Sequence, residues 1–331
     1  MMHYRSVADL NDQVVKWTAQ LPRDLDVIAG VPRSGLLVAN LLALHLNLPL
    51  TDVEGLLQGK VFEGGARLRR RGGSNPLGGP KKVLIVDDSV HSGKQMHAVR
   101  ERLAAAALPH DVSYAAAYVK PGAEELVDFF ADVVPLPRCF EWNLMHSREL
   151  LSMSCMDIDG VLCRDPNHDE NDDGENYLRF LECTAPLYLP TETVGWFVTC
   201  RLEKYRGHTE AWLARHGVRC EELLMMGYPD QASRQAANAY ATYKAEIYRR
   251  TGARLFIESS PEQALEIAML SRKPVFCMDT RAMLYPDRLP ANPLGVRKVI
   301  GKINTARVKG RRKLRHWLRH PSANLKSLLG R

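Results

Sequence analysis

Two pairs of carboxylates carry most of the chemistry this chain could do. Asp87 and Asp88 follow the apolar run Val83-Leu84-Ile85-Val86 and precede Ser89-Val90-His91-Ser92-Gly93-Lys94-Gln95. A buried strand that ends in acids and feeds a Gly-containing loop at a helix N-terminus is built to hold a phosphorylated ligand. Backbone N–H groups and the positive end of the helix dipole cradle the phosphate, while the carboxylates face hydroxyls or a divalent metal. The second pair, Asp157 and Asp159, stands in Met156-Asp157-Ile158-Asp159-Gly160. On an extended segment that spacing points both side chains the same way, so both can address one phosphate. Gly160 lets the chain turn.

Such sites need strands to deliver them and helices to follow. Four apolar residues at 83–86 predict a buried parallel strand, a sharp turn through the acids, and a helix from about Gln95 to Ala107. Upstream, Asp26-Val27-Ile28-Ala29-Gly30-Val31-Pro32-Arg33-Ser34-Gly35 reads as a short strand and a Pro/Gly loop before the helical run Leu36 to Leu46. Trp196 to Thr199 and Leu255 to Glu258 read as further strands. The expected fold is α/β: two doubly wound, Rossmann-like parallel-sheet domains over 1–148 and 149–290, followed by a basic tail over 291–331.

Composition narrows the classes. At 331 residues the chain can bury two full-sized cores. No apolar run reaches the roughly 18 to 20 residues of a membrane-spanning helix, and the N-terminus lacks a signal pattern. Seven cysteines without a C-x-x-C pair argue for a reducing cytoplasm and against a disulfide scaffold or structural zinc site. Net charge is +7, but 13 Lys/Arg and no acid follow Asp287, leaving 32 basic against 38 acidic residues in 1–287.

The first site resembles the binding motif of the type I phosphoribosyltransferases, which use phosphoribosyl pyrophosphate (PRPP) with Mg²⁺. The resemblance implies that Asp87 and Asp88 contact the ribose hydroxyls and that Ser89, Val90, His91, Ser92, Gly93, Lys94 and Gln95 grip the 5-phosphate. Gln95 departs from the usual Ser or Thr, and His91 from a common Thr or Asp. The upstream loop, Val31, Pro32, Arg33, Ser34 and Gly35, would take the pyrophosphate, with Arg33 as a cation for the leaving group. The basic stretch Gly64 to Gly73 looks like the family's mobile loop, and Phe140-Glu141-Trp142 would close the domain on its last strand.

The second site resembles motif one of the haloacid dehalogenase-like phosphatases, Asp-x-Asp-Gly. By that resemblance Asp157 is the nucleophile, forming an aspartyl-phosphate, and Asp159 the general acid and base. Thr199 matches the phosphate-binding hydroxyl, with Arg201 close behind, and Lys244 the neutralising lysine. Asp157, Asp159 and Glu258 would hold a second Mg²⁺, with Ser259 standing where many members carry another acid. Only 33 residues separate Leu162 from Trp196, too few for a large cap. Their acidic cluster, Asp165, Asp169, Glu170, Asp172, Asp173 and Glu175, reads as a solvated loop.

From residue 307 to 329 basic residues surround Leu314, Trp317, Leu318, Leu325, Leu328 and Leu329, the composition of an interfacial amphipathic helix. Together these features imply a bifunctional cytoplasmic enzyme, peripheral at the inner face of the membrane, with homodimerisation left open. It would transfer phosphoribosyl to a lipid-linked bacterial surface glycan and then remove the 5-phosphate. Nucleobase salvage coupled to a nucleotide phosphatase is a second reading. A PRPP-sensing regulator that binds RNA through its tail is a third, disfavoured one.

Overall fold

The computed structural model describes residues 2–62, 68 and 77–289. The basic stretch at 64–73, apart from Leu68, and the tail at 291–331 lie outside the described residues. The chain divides into two compact units: Arg5–Arg138, and Met1–Tyr4 with the chain from Cys139 onward. The division falls ten residues before the boundary read from sequence.

β1 (His3–Arg5), which starts in the N-terminal segment of the second unit, leads into the first unit's α1 (Val7–Trp17), β2 (Val27–Gly30), α2 (Gly35–Leu46), β3 (Leu50–Asp52) and α3 (Val53–Leu57). Then come β4 (Lys82–Val90), α4 (Lys94–Ala105), β5 (Asp111–Val119) and β6 (Phe129–Val133). The strands β2 to β6 form a parallel sheet in the order β3-β2-β4-β5-β6. Val83, Leu84, Ile85 and Val86 are all buried, as a strand covered on both faces requires. The strand does not stop at the acids: β4 runs through Asp87, Asp88 and Ser89 to Val90, because pairing with β5 continues from Asp87↔Ala116 to Val90↔Val119. The loop is therefore only His91 to Gly93, and α4 starts at Lys94.

β7 (Arg138–Phe140) pairs with β1 and stands outside the five-stranded sheet, so the Phe140-Glu141-Trp142 segment does not supply that sheet's last strand. The second unit continues with α5 (Arg148–Ser152), β8 (Ser154–Met156), α6 (Glu175–Cys183), β9 (Val194–Leu202) and α7 (Arg206–Arg215). It ends with β10 (Cys220–Met226), α8 (Gln231–Ala237), α9 (Tyr240–Arg250), β11 (Leu255–Glu258), α10 (Pro261–Ser271), β12 (Val275–Cys277) and β13 (Ala282–Leu284). The sheet order is β10-β9-β8-β11-β12-β13, parallel except for antiparallel β13 at the edge.

Two-residue alternation fills both faces of this sheet. Cys155, Val198 and Phe256 pack into one apolar cluster with Tyr248 and Leu265. Their chain neighbours Met156, Phe197 and Ile257 pack into another with Trp212 and Phe276. Ser260 caps α10 through Gln263 N–H and Pro261 occupies its first turn, a local start signal that fixes the end of β11.

Candidate active sites

In each unit the chain reverses its winding direction at one place, and the named residues gather there. In the first unit β2 leads outward to β3, while β4 lies on the other side of β2 and leads to β5. The loops after β2 and β4 diverge at that switch point, where a parallel sheet opens a ligand crevice at its strand C-termini.

Close backbone approach builds this crevice. A Cβ at Gly35 would lie 2.7 Å from the Val86 carbonyl oxygen and 2.9 Å from Asp87 Cα, so only glycine lets α2 begin against the acidic strand end. Val31 N–H donates to the Val86 carbonyl at 2.8 Å, and the Pro32–Arg33 peptide is cis. Gly93, at φ 73°, ends the second loop in the left-handed region that favours glycine.

Asp87 and Asp88 are both buried, and Asp88 N–H donates to Asp87 Oδ1 at 2.8 Å. Burial, with the Asp88 charge beside it, pushes the Asp87 carboxyl up to about 8. Two buried carboxyls side by side at a strand end suit sugar hydroxyls or a divalent cation. Pro32, Arg33, His91, Ser92, Lys94 and Gln95 are exposed, whereas Val31, Gly35 and Val90 are buried. The Val90 side chain packs into the core of the first unit.

In the second unit β8 leads to β9 and β10 on one side, and β11 lies on the other. Asp157 follows β8 and Glu258 ends β11, so the two acids flank that switch point. Asp157 N–H donates to the Ile257 carbonyl at 3.0 Å, which fixes the acid to its neighbouring strand. Lys244, from α9, reaches between them. Its Nζ donates to Asp157 Oδ2 at 2.6 Å, Glu258 Oε2 at 2.7 Å and Gln263 Oε1 at 2.9 Å.

Burial opposes the Lys244 ammonium, but Asp157 and Glu258 hold it well above its ordinary value. Burial pushes the Asp157 carboxyl up to about 8; Lys244 opposes this, while Glu258 and Asp159 add to it. Glu258 Oε1 also accepts from the Ser259 and Ser260 N–H groups at 3.0 and 3.1 Å. Beside the set opens a cleft of about 580 Å³, lined by Asp157, Glu258, Ser259, Gln263, Asp165 and Asp279 among others. At Gly160, φ 77°, a Cβ would lie 2.1 Å from Ser259 Oγ. The turn after the acids therefore depends on glycine.

Asp159 departs from the sequence expectation. Its carboxylate does not share a ligand with Asp157. It takes Arg201 Nη2 at 2.7 Å and Nε at 3.1 Å on Oδ1 and Oδ2 respectively. Arg201 is fully buried, and its Nη1 donates to Thr209 Oγ1 at 3.4 Å. Asp159 is thus committed to Arg201, whereas Asp157 and Glu258 share Lys244. Among the described residues no group of three His, Cys, Asp or Glu side chains could hold a metal ion. The signal for Arg201 was its position two residues after Thr199 on β9, which places both on one face. Thr199, fully buried, accepts the Arg201 N–H on Oγ1 at 3.2 Å.

The acidic insert is likewise no free loop. Asp172 Oδ1 accepts the Gly174 and Tyr177 N–H groups at the start of α6. Asp173 takes Lys204 Nζ at 2.8 Å and the Tyr205 hydroxyl at 2.7 Å. Both carboxyls lie below the usual range, Asp172 through backbone N–H groups and Asp173 through these partners against the opposing effect of burial.

Residues 4–149 match the family model described as Phosphoribosyl transferase domain. That match supports a type I phosphoribosyltransferase domain over those residues. No curated protein matches the chain. Among solved structures, the chain is similar to a Helicobacter pylori xanthine-guanine-hypoxanthine phosphoribosyltransferase (18% identity, 43% of this chain, 93% of the other, TM-score 0.32). It is also similar to a Pyrococcus horikoshii purine phosphoribosyltransferase (22% identity, 43% and 93%, TM-score 0.32). A Neisseria gonorrhoeae protein with bound ppGpp is 15% identical over 43% of this chain and 89% of the other, with a TM-score of 0.32.

Proposed function

We propose that the chain is a two-site enzyme: transfer of 5-phosphoribosyl from PRPP in the first unit, then hydrolysis of the 5-phosphate in the second. The family match over residues 4–149 supports the first step. One observation carries the second: a buried carboxylate at a strand end, Asp157, bridged to Glu258 by the buried Lys244 ammonium beside an open cleft.

In the first site Asp87 and Asp88 stabilise the positive charge that develops on the sugar as pyrophosphate leaves. The loops at 31–35 and 89–95 orient the two phosphate ends. In the second, Asp157 attacks phosphorus as the bond to the sugar oxygen breaks, and Lys244 offsets the charge gathering on the transferred group. Asp159, once free of Arg201 and protonated, gives its proton to the leaving oxygen, then takes one from the water that splits the aspartyl-phosphate into free Asp157 and inorganic phosphate.

Asp157 and Glu258, which line the cleft with Asp165 and Asp279, would hold a divalent cation, which would offset negative charge on the transferred phosphoryl group. The paired acids of the first site fit one as well. The acceptor is a lipid-linked glycan, which an open cleft suits better than an enclosed one. No helix among the described residues is long and apolar enough to cross a membrane, so attachment would rest on the basic segment at 307–329.

The test is mass spectrometry of products formed from PRPP, Mg²⁺ and a crude membrane extract. Asp157→Asn should accumulate a 5-phosphorylated product, whereas Asp87→Asn with Asp88→Asn should stop pyrophosphate release and spare phosphatase activity. Loss of both activities from either change would refute two separate sites.

A further inference from the structure

A second cleft, of about 490 Å³, lies next to the Asp157 cleft in the same unit, lined by Arg164, Asn167, Asn176, Arg179, Phe180 and Thr184 among others. Arg164 lines both clefts. It follows a ridge formed by the antiparallel bridge Cys163↔Pro186 and the bond from Leu187 N–H to the Leu162 carbonyl at 2.7 Å. Across that ridge Ala185 faces the second cleft and Leu187 the first. The Arg164 guanidinium is held by the Glu170 carboxylate, the Asp165 carbonyl at 3.1 Å and the Phe180 ring, 5.0 Å from its centroid.

Asn176, Arg179, Phe180 and Cys183 recur at three- and four-residue spacing along α6, so one helix face fronts this cleft. Asn176 and Arg179 are exposed, and among the described residues neither side chain is held by an ion pair. The volume lies in the range of small-molecule sites.

We infer that this second cleft binds the hydroxyl-rich body of the phosphomonoester whose phosphate enters the Asp157 cleft. The substrate is then a phosphorylated glycan longer than one pentose. The inference rests on the phosphatase reading of Asp157 and adds where the body of its substrate is held. Amide and guanidinium groups offer the donors and acceptors that sugar hydroxyls need. Asp169 and Glu170 balance Arg164 and Arg179 in the lining, which leaves no net positive charge for a polyphosphate. A nucleobase would want an open aromatic face, and Phe180, the cleft's aromatic residue, is buried beneath Arg164.

Full-length protein is assayed in two arms. In the first, wild-type protein with Mg²⁺ is given p-nitrophenyl phosphate, which tests hydrolysis without engaging the second cleft; no turnover overturns the phosphatase reading. In the second, Asp157→Asn protein, which cannot turn substrate over, is titrated calorimetrically with AMP and with a ribofuranosyl-hexose disaccharide bearing a 5-phosphate. The disaccharide should bind at least tenfold tighter than AMP. Adding Asn176→Ala and Arg179→Ala should weaken the disaccharide by about tenfold. Both residues are exposed, and melting curves check that the fold persists. Equal or tighter binding of AMP, or disaccharide affinity unchanged within twofold by the double change, overturns the second cleft's role whatever the first arm gives.

Discussion

Replacing Lys244 by Met removes a buried cation of similar length from between two buried acids. Lys244 is 1% exposed, Asp157 5% and Glu258 0%. Deleting one partner of a buried ion pair costs about 3–5 kcal/mol because the remaining charge is uncompensated. The loss must depend on pH, since an acid can take up a proton instead. Asp157 already sits near 8 with Lys244 present, and without it the folded value rises further. A carboxyl raised in the folded state lends its full stability below its unfolded value, near 4, and loses it as pH climbs through the folded value. In the wild-type chain that loss is complete by about pH 8 to 9. In the variant it continues, by roughly 1.4 kcal/mol per further pH unit.

Urea unfolding followed by tryptophan fluorescence at pH 6 and pH 9 reads this directly, with Trp196 and Trp212 as reporters in that unit. The deficit should be largest at pH 9 and smaller at pH 6. Adding Asp157→Asn should recover most of it at pH 9. A deficit independent of pH, or no recovery on neutralising Asp157, would show that Lys244 does not compensate these carboxylates.

Two further substitutions bear on the backbone and the packing. Gly35→Ala should lower stability by about 1–3 kcal/mol and weaken PRPP binding, because its Cβ would press on the Val86 carbonyl oxygen and Asp87 Cα; a melting curve and calorimetric titration with PRPP check both. Thr184→Val should leave the melting temperature unchanged or raise it, since Thr184 Oγ1 is buried with no hydrogen-bond partner and a shape-matched methyl relieves that desolvation. A fall of several degrees would mean the hydroxyl has a partner after all.

Much of the fold around both candidate sites is legible because strand ends announce themselves. Val83 to Val86 reads as a buried strand whatever its context, and the acids after it follow from position alone. What sequence could not settle was where pairing stops. Nothing local in Asp87-Asp88-Ser89 says that β5 continues alongside to Val119, so the strand was read as ending four residues early. The two-residue spacing of Asp157 and Asp159 suggested one shared target. The partner of Asp159 lies 42 residues away, and only the β8–β9 pairing brings Arg201 within reach. Asp173 reads as solvated for the same reason: its partners Lys204 and Tyr205 are distant in sequence. Lys244 was legible from its order among the acids, but its bond to Gln263 on α10 was not.

Each candidate site draws its acids from the strand ends of a single sheet, and this bears on how such a protein can change over time. On the two-site proposal, a duplicated copy that lost the acids of one sheet would keep those of the other. Such a copy could drift towards a dedicated transferase or a dedicated hydrolase.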